Sequence, residues 1–147
     1  MGIIEGESTA EINAPIETVW ALVQDVEKAP QWQNGLSSMD AIERDDEGRA
    51  VLCDSATDAK VTQIKTVVRF KYSGPETLEW IVEKSAMKST EGSWQLVDLG
   101  GGRTKATYWL RGDLGRLGLV VRGPLVDVLR GQLVGSRAEE LKKAIEG

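Results

Sequence analysis

The sequence predicts an α+β domain: a seven-stranded curved antiparallel sheet wrapped around a long C-terminal helix, with two short helices between the first and second strands. Three observations carry this reading. Apolar residues recur with period two through most of the chain, most clearly in Val61–Tyr72. Turn signals at Asp45–Gly48, Ser73–Pro75 and Gly100–Gly102 separate successive runs, as in an antiparallel meander. Helical periodicity is confined to the segment after Pro15 and the segment after Pro124.

Taken in order, Ile4, Gly6, Ser8, Ala10 and Ile12 share one parity and Ile3, Glu5, Glu7, Thr9 and Glu11 the other, giving a first strand with one acidic face. Asn13-Ala14-Pro15 starts a helix, with Pro15 suited to a first turn and Glu17 near the positive end of the dipole. Val19, Leu22, Val23 and Val26 form its expected buried stripe. Pro30 ends this helix or restarts a short second one, Trp32 follows, and Gly35 closes the segment. Strands are expected over Leu36–Arg44, Arg49–Thr57, Val61–Tyr72, Thr77–Lys84, Glu91–Leu99 and Arg103–Gly112. Asp58-Ala59-Lys60 is a further turn signal. The final helix is expected from about Pro124 to Ile145, with Leu125, Val128, Leu129, Leu133, Leu141 and Ile145 on its apolar stripe. Gly131 and Gly135 lie inside it, which suggests a kink or a close approach to the sheet.

The chain has 147 residues, the length of one domain, 1–147. Its net charge is −5, so a basic nucleic-acid footprint is absent from the composition and no nucleic-acid partner is expected. There is one cysteine and no histidine. An intrachain disulfide is therefore excluded, and so are the Ser-His-Asp triad and the usual histidine metal sites. No metal or cofactor is expected. An acidic N-terminus without an apolar core region, and the absence of a long uninterrupted apolar stretch, lead to the expectation of a cytoplasmic protein without stable membrane insertion.

The segment AEINAPIETVWALVQDVEKAPQW (Ala10–Trp32) resembles the start of the START-like superfamily, also called the helix-grip or birch-pollen-allergen-like fold. The resemblance rests on Ala14-Pro15, Val19-Trp20, Asp25 and Pro30-Gln31-Trp32. The segment EGSWQLVDLGGGRTKATYWLRGDL (Glu91–Leu114) is similar to the closing hairpin of the polyketide cyclase/dehydrase-like branch, and RAEELKKAIEG (Arg137–Gly147) to its final helix. The resemblance implies a deep apolar cavity between sheet and C-terminal helix, and a lipid, sterol, polyketide, quinone or hormone as ligand. The fold does not choose among these.

Candidate ligand-binding residues are Trp32, Val68, Phe70, Tyr72, Trp80, Trp94, Tyr108, Leu110, Leu125, Leu129 and Leu133, because aromatic and branched side chains on the inward parity are what apolar sites use. Trp80 and Trp94 are both expected to be mainly buried. Arg69, Arg111, Arg116 and Arg122 suit a carboxylate head group, with solvated surface charge as the favoured alternative. Arg116 and Arg122 flank Leu117–Val121, which reads as a mobile mouth, and ligand entry is expected to move Asp113–Gly123. Asp25, Asp54, Asp58, Asp98 and Asp113 are scattered and form no acid–base pair. Cys53 reads as a buried structural thiol. The expected function is binding or transport of a small hydrophobic ligand. A polyketide cyclase or dehydratase acting in the same cavity is the first alternative; an interaction module with a vestigial cavity, for instance a homodimer, is the second.

Overall fold

The computed structural model describes residues 2–58, 63–85, 89–119 and 122–147. Seven strands form one antiparallel sheet in the order β1-β7-β6-β5-β4-β3-β2. They are β1 (Ile3–Ile12), β2 (Leu36–Arg44), β3 (Ala50–Asp58), β4 (Gln63–Ser73), β5 (Thr77–Ser85), β6 (Ser89–Gly100) and β7 (Arg103–Asp113). Helix α1 (Ile16–Val23) and a 3₁₀ helix (Val26–Gln31) lie between β1 and β2, as the sequence predicts. The final helix follows β7. The expected start of the fourth strand at Val61, the turn at Ala59-Lys60, and Val120-Val121 of the expected mouth lie outside the described residues.

Alternation along the strands becomes the two faces of the sheet. Ile64, Val68 and Phe70 of β4 are buried while Gln63, Lys65 and Lys71 are exposed. The β2–β3 ladder shifts register at three points, β4–β5 between Val67 and Val68, and β6–β7 between Asp98 and Gly100. Such bulges bend a strand and increase its twist, which lets the sheet curl around a helix instead of lying flat. The turns are chemically specified. Asp45 Oδ1 accepts from the backbone N–H of Glu47 and Arg49, both at 2.9 Å, and Gly48 takes φ 82°.

Two details depart from the periodicity. On α1 the buried residues are Ile16, Val19, Trp20 and Val23, and Leu22 is only half-buried. Trp20 turns inward because Gly74 leaves room: a Cβ there would stand 2.5 Å from the Trp20 ring. The terminal helix is also not continuous. It runs as α2 (Pro124–Arg130), a π turn (Gly131–Gly135) and α3 (Arg137–Glu146). The glycines thus mark a distortion and not a close approach, since a Cβ at Gly131 or Gly135 would meet nothing within 4 Å.

Helix α3 is held at both ends, by β1 and by the residue that follows it. Ser8 Oγ on β1 accepts from the Ala138 N–H at 2.8 Å. Glu146 Oε2 accepts from the Asn13 N–H at 2.8 Å and from Lys142 Nζ at 2.9 Å. At the corner between β1 and α1, fully buried Thr104 donates its hydroxyl to the Ala14 carbonyl at 2.8 Å. Ile4, Ile12, Leu78, Trp94, Leu114, Leu129 and Leu141 fill the space between sheet and helix with almost no exposure.

Candidate ligand cavity

Cross-strand register assembles the inner wall. Leu78 faces Trp94, Trp94 faces Tyr108, and Tyr108 faces Ser8 in one row across β5, β6, β7 and β1. The next row holds Phe70, Trp80, Gly92, Leu110 and Gly6. Gly92 is there for a steric reason: the Trp80 ring lies over its backbone, and a Cβ would come within 2.4 Å of it. The rings form a connected cluster. Trp94 and Tyr108 are edge-on with centroids 4.8 Å apart, Trp80 and Tyr108 are 5.4 Å apart, and Phe70 and Trp80 are 6.2 Å apart.

Between this wall and the helix is a cavity of about 120 Å³. It extends from the aromatic cluster toward the end of the sheet where Leu36, Thr57, Ile64, Val82, Thr90 and Gly112 lie. The opposite end is closed by packed core, including Ala50, Leu96 and Ala106. Of the residues expected to bind ligand, Val68, Phe70, Trp80, Trp94, Tyr108, Leu110 and Leu133 line this cavity.

The other four lie off its wall. Trp32 packs against Trp94 with centroids 6.1 Å apart and borders a separate surface depression. Tyr72 lies near the end of β4, where its hydroxyl donates to the Ala50 carbonyl at 2.5 Å and the Arg49 guanidinium sits over its ring. Leu125 is 37% exposed. Leu129 is buried within packed core, one helical turn before Leu133, which does reach the cavity. Trp94 is 2% exposed, as expected, but Trp80 is only half-buried because its ring closes the wall above Gly92, close to the outer face.

The arginines expected to meet a head group are elsewhere. Arg69 pairs with Glu83 at 2.6 Å, Arg111 approaches Glu5 at 3.6 Å, and Arg116 and Arg122 are exposed. The arginine that does line the cavity is Arg137, the first residue of α3, which is 3% exposed. Its Nη1 donates to the Asn34 carbonyl at 2.9 Å and to Glu140 Oε1 at 2.8 Å. Its Nε–H has no partner. The guanidinium carbon is 6.0 Å from the centroid of the Tyr108 ring. Burial pushes the Tyr108 phenol up from its ordinary range, against the positive charge and hydrogen bond of Arg137.

Sequence reasoning passed over Arg137, although a signal was present. Leu129, Leu133 and Leu141 step by four and eight, and position 137 supplies the missing step of that apolar stripe. A glutamate three residues on marks the charge as one that can be paired in place.

The remaining lining is chemically quiet. Ser55, Thr57, Thr66 and Thr90 contribute hydroxyls, and Tyr108 and Arg137 are its only ionisable side chains among the described residues. Buried Cys53 is not on the wall. Burial, then the charge of Glu27, pushes its thiol up to about 12. No cluster of potential metal ligands exists among the described residues, and no described helix is long and apolar enough to cross a membrane.

A family model described as polyketide cyclase / dehydrase and lipid transport matches residues 4–146. No curated protein sequence matches the chain. Among solved structures, a START superfamily protein from Mycobacterium smegmatis is similar over 99% of this chain and 98% of its own, with TM-score 0.82 and 22% identity. A protein from Thermus thermophilus aligns over 96% of both chains, with TM-score 0.78 and 16% identity. The Zhui aromatase/cyclase from Streptomyces sp. R1128 aligns over 98% of this chain and 84% of its own, with TM-score 0.67 and 17% identity. These likenesses bear out the START-like helix-grip architecture.

Proposed function

The chain belongs to the polyketide cyclase / dehydrase and lipid transport family, and on that premise we propose that it binds a small apolar molecule in the cavity between sheet and helix. The observation that carries the proposal is the cavity itself: lined by aliphatic residues and four aromatic side chains, with no carboxylate, thiol or imidazole among its described lining residues. Apolar burial supplies the affinity. A single ring burying about 200 Å² of apolar surface gains about 5 kcal/mol before association costs. That supports weak binding, to be strengthened by any polar contact the site adds.

Size sets the class of ligand. Drug-sized sites occupy about 300–1,000 Å³, whereas an apolar cavity of about 150 Å³ accepts benzene. A volume of about 120 Å³ suits one ring or a short branched chain. A longer molecule requires the wall to open toward the Thr90–Gly112 end.

The test is a titration of toluene followed by tryptophan indole NMR signals, since Trp80 and Trp94 stand on the wall. Saturable shifts are expected in the wild type. Leu133→Trp, which fills the cavity, abolishes them; Leu125→Trp, off the wall, leaves them intact. Equal binding by wild type and Leu133→Trp overturns the placement. Absence of binding across toluene, short alkanes and fatty-acid probes overturns the ligand-binding reading and leaves a vestigial cavity. The second reading, catalysis of a cyclisation, is favoured by the aromatase/cyclases among its structural neighbours. It places the burden of proton transfer or carbonyl polarisation on Tyr108 and Arg137, and turnover of a poly-β-keto thioester by the purified protein tests it.

A further inference from the structure

Among the described residues, three buried side-chain polar atoms lack a hydrogen-bond partner: Trp32 Nε1, Gln132 Oε1 and Arg137 Nε. Such atoms are uncommon in a folded chain, and each calls for an explanation. All three belong to residues in or against one short segment, 32–36. Trp32 opens that segment. Arg137 Nη1 donates to the Asn34 carbonyl at 2.9 Å. Gln132, carried by the π turn, donates its Nε2 to the Asp58 carbonyl, and the Asp58 N–H donates in turn to the Gly35 carbonyl at 2.8 Å. Gly35 takes φ 86°, and a Cβ there would stand 2.5 Å from Gln132 Nε2, so the glycine admits the amide.

The same segment is a partition. Gln33 and Leu36 line the cavity on one side and a surface depression on the other. Two other depressions share residues with the cavity, Phe70 and Trp80 in one, Ser55 and Thr66 in the other. Those residues are cross-strand partners, so the partition there is the backbone ladder itself. At 32–36 the helical segment meets the partition through the side chains of Gln132 and Arg137, whereas its main packing is against β1 and β7.

We propose that residues 32–36 are the gate of the cavity and that Gln132 and Arg137 are its clasp: a ligand enters between the helix and this segment, and not through 113–123. The proposal rests on the ligand-binding reading above and adds the route. Opening breaks the hydrogen bonds to the Asn34 and Asp58 carbonyls, but it lets water reach the three unpartnered atoms, so its net cost is small. Parting the ladder elsewhere gives no such compensation, because every backbone bond broken there is already satisfied.

The first measurement needs no ligand. Exchange of the Trp32 indole N–H, followed by NMR in rising denaturant, reports the opening because that group is buried when the gate is closed. In the wild type it is expected to exchange through a local opening that hardly depends on denaturant, before the ladder amides of β6 and β7. Exchange only with global unfolding overturns the gate. The second measurement follows the on- and off-rates of toluene by NMR. Gln132 is not on the cavity wall, so Gln132→Ala should raise both rates about fivefold, the yield of one hydrogen bond, and leave Kd within about twofold. Asp113→Ala removes the acceptor that holds the Gly115 N–H at 2.9 Å in the mouth expected from the sequence, and should leave both rates unchanged. Acceleration in Asp113→Ala alone moves entry to 113–123 and overturns the route, as do unchanged rates in both variants. Acceleration in both overturns the claim of a single route. If toluene does not bind, the ligand-binding reading fails, and the indole exchange still decides whether the segment opens. That wild-type exchange also decides the matter if Gln132→Ala fails to fold.

Discussion

At Gly92 the backbone of β6 and the indole of Trp80 occupy space that any side chain would need. Gly92→Ala therefore forces the ring inward, at a cost of about 1–3 kcal/mol for overpacking, and narrows the cavity it borders. Denaturant melts measure the first effect and toluene titration the second; an unchanged melt would mean that the ring moves freely. Trp94, 2% exposed, and half-buried Trp80 should differ on truncation. Trp94→Ala is expected to cost about 3–5 kcal/mol, the range for removing a core aromatic, and Trp80→Ala less, by the same melts. Cys53 is a third case. Its thiol, fully buried and raised to about 12, should resist iodoacetamide at pH 8 in the native state and react once denaturant is added. Labelling of the native protein would place the thiol on the surface. A thiol that stays neutral when folded adds no pH dependence below its ordinary value of 9.0, and stability should fall as pH rises beyond it.

At the level of elements, the strands were legible because period-two alternation depends on one face of a sheet being buried, and that condition holds along the whole meander. The terminal helix was legible in extent, and its two internal glycines signalled the interruption without specifying its geometry. Apolar spacing specifies which side faces the sheet, and Gly131 and Gly135 mark where the helix is distorted, but neither signal tells a π turn from an ordinary kink. Trp20 shows a second limit. Its inward turn depends on Gly74, far along the chain, and a local period cannot register such a partner. The glycines of the turn yield a prediction opposite in sign to Gly92. Gly131 has φ −59° and ψ −41°, and a Cβ there meets nothing within 4 Å. Gly131→Ala is expected to raise stability by about 0.5–1 kcal/mol through helix propensity and reduced unfolded-state freedom. A loss in the melt would show that the turn requires glycine for a reason other than space.

For the molecule as a whole, two carboxylates tie distant segments together and contribute to the acid limb of stability. The Glu27 carboxyl lies below its ordinary value because Arg44 hydrogen-bonds it, against the opposing effect of burial. Glu146 is lowered first by the Asn13 N–H and then by Lys142. Groups depressed in the folded state stabilise above their ordinary value near 4.5, and that stabilisation disappears as pH falls through the folded value. Melting temperature should therefore drop below about pH 4.5, and Glu146→Gln should flatten part of that drop. A variant with the full wild-type acid limb would remove Glu146 from this account. The site was less legible than the fold for a related reason. Parity places Phe70, Trp94 and Tyr108 on the inner face but says nothing of depth, so Leu129 and Leu133 are equivalent in sequence while only Leu133 meets the cavity. Arg137 was hidden because charge is ordinarily read as surface, and only the packed structure reveals a buried one.

The three register shifts along β2 have a consequence for the behaviour of the protein among its own copies. An open sheet ends in two strands with free amides and carbonyls, and β2 is one of them. A regular row of such groups is a template on which a second chain can align and grow. Breaks between Leu36 and Ser38, Ala41 and Glu43, and Glu43 and Arg44 destroy the even spacing an incoming strand would need. The irregularity that curls the sheet around its interior therefore also guards the chain against edge-to-edge aggregation.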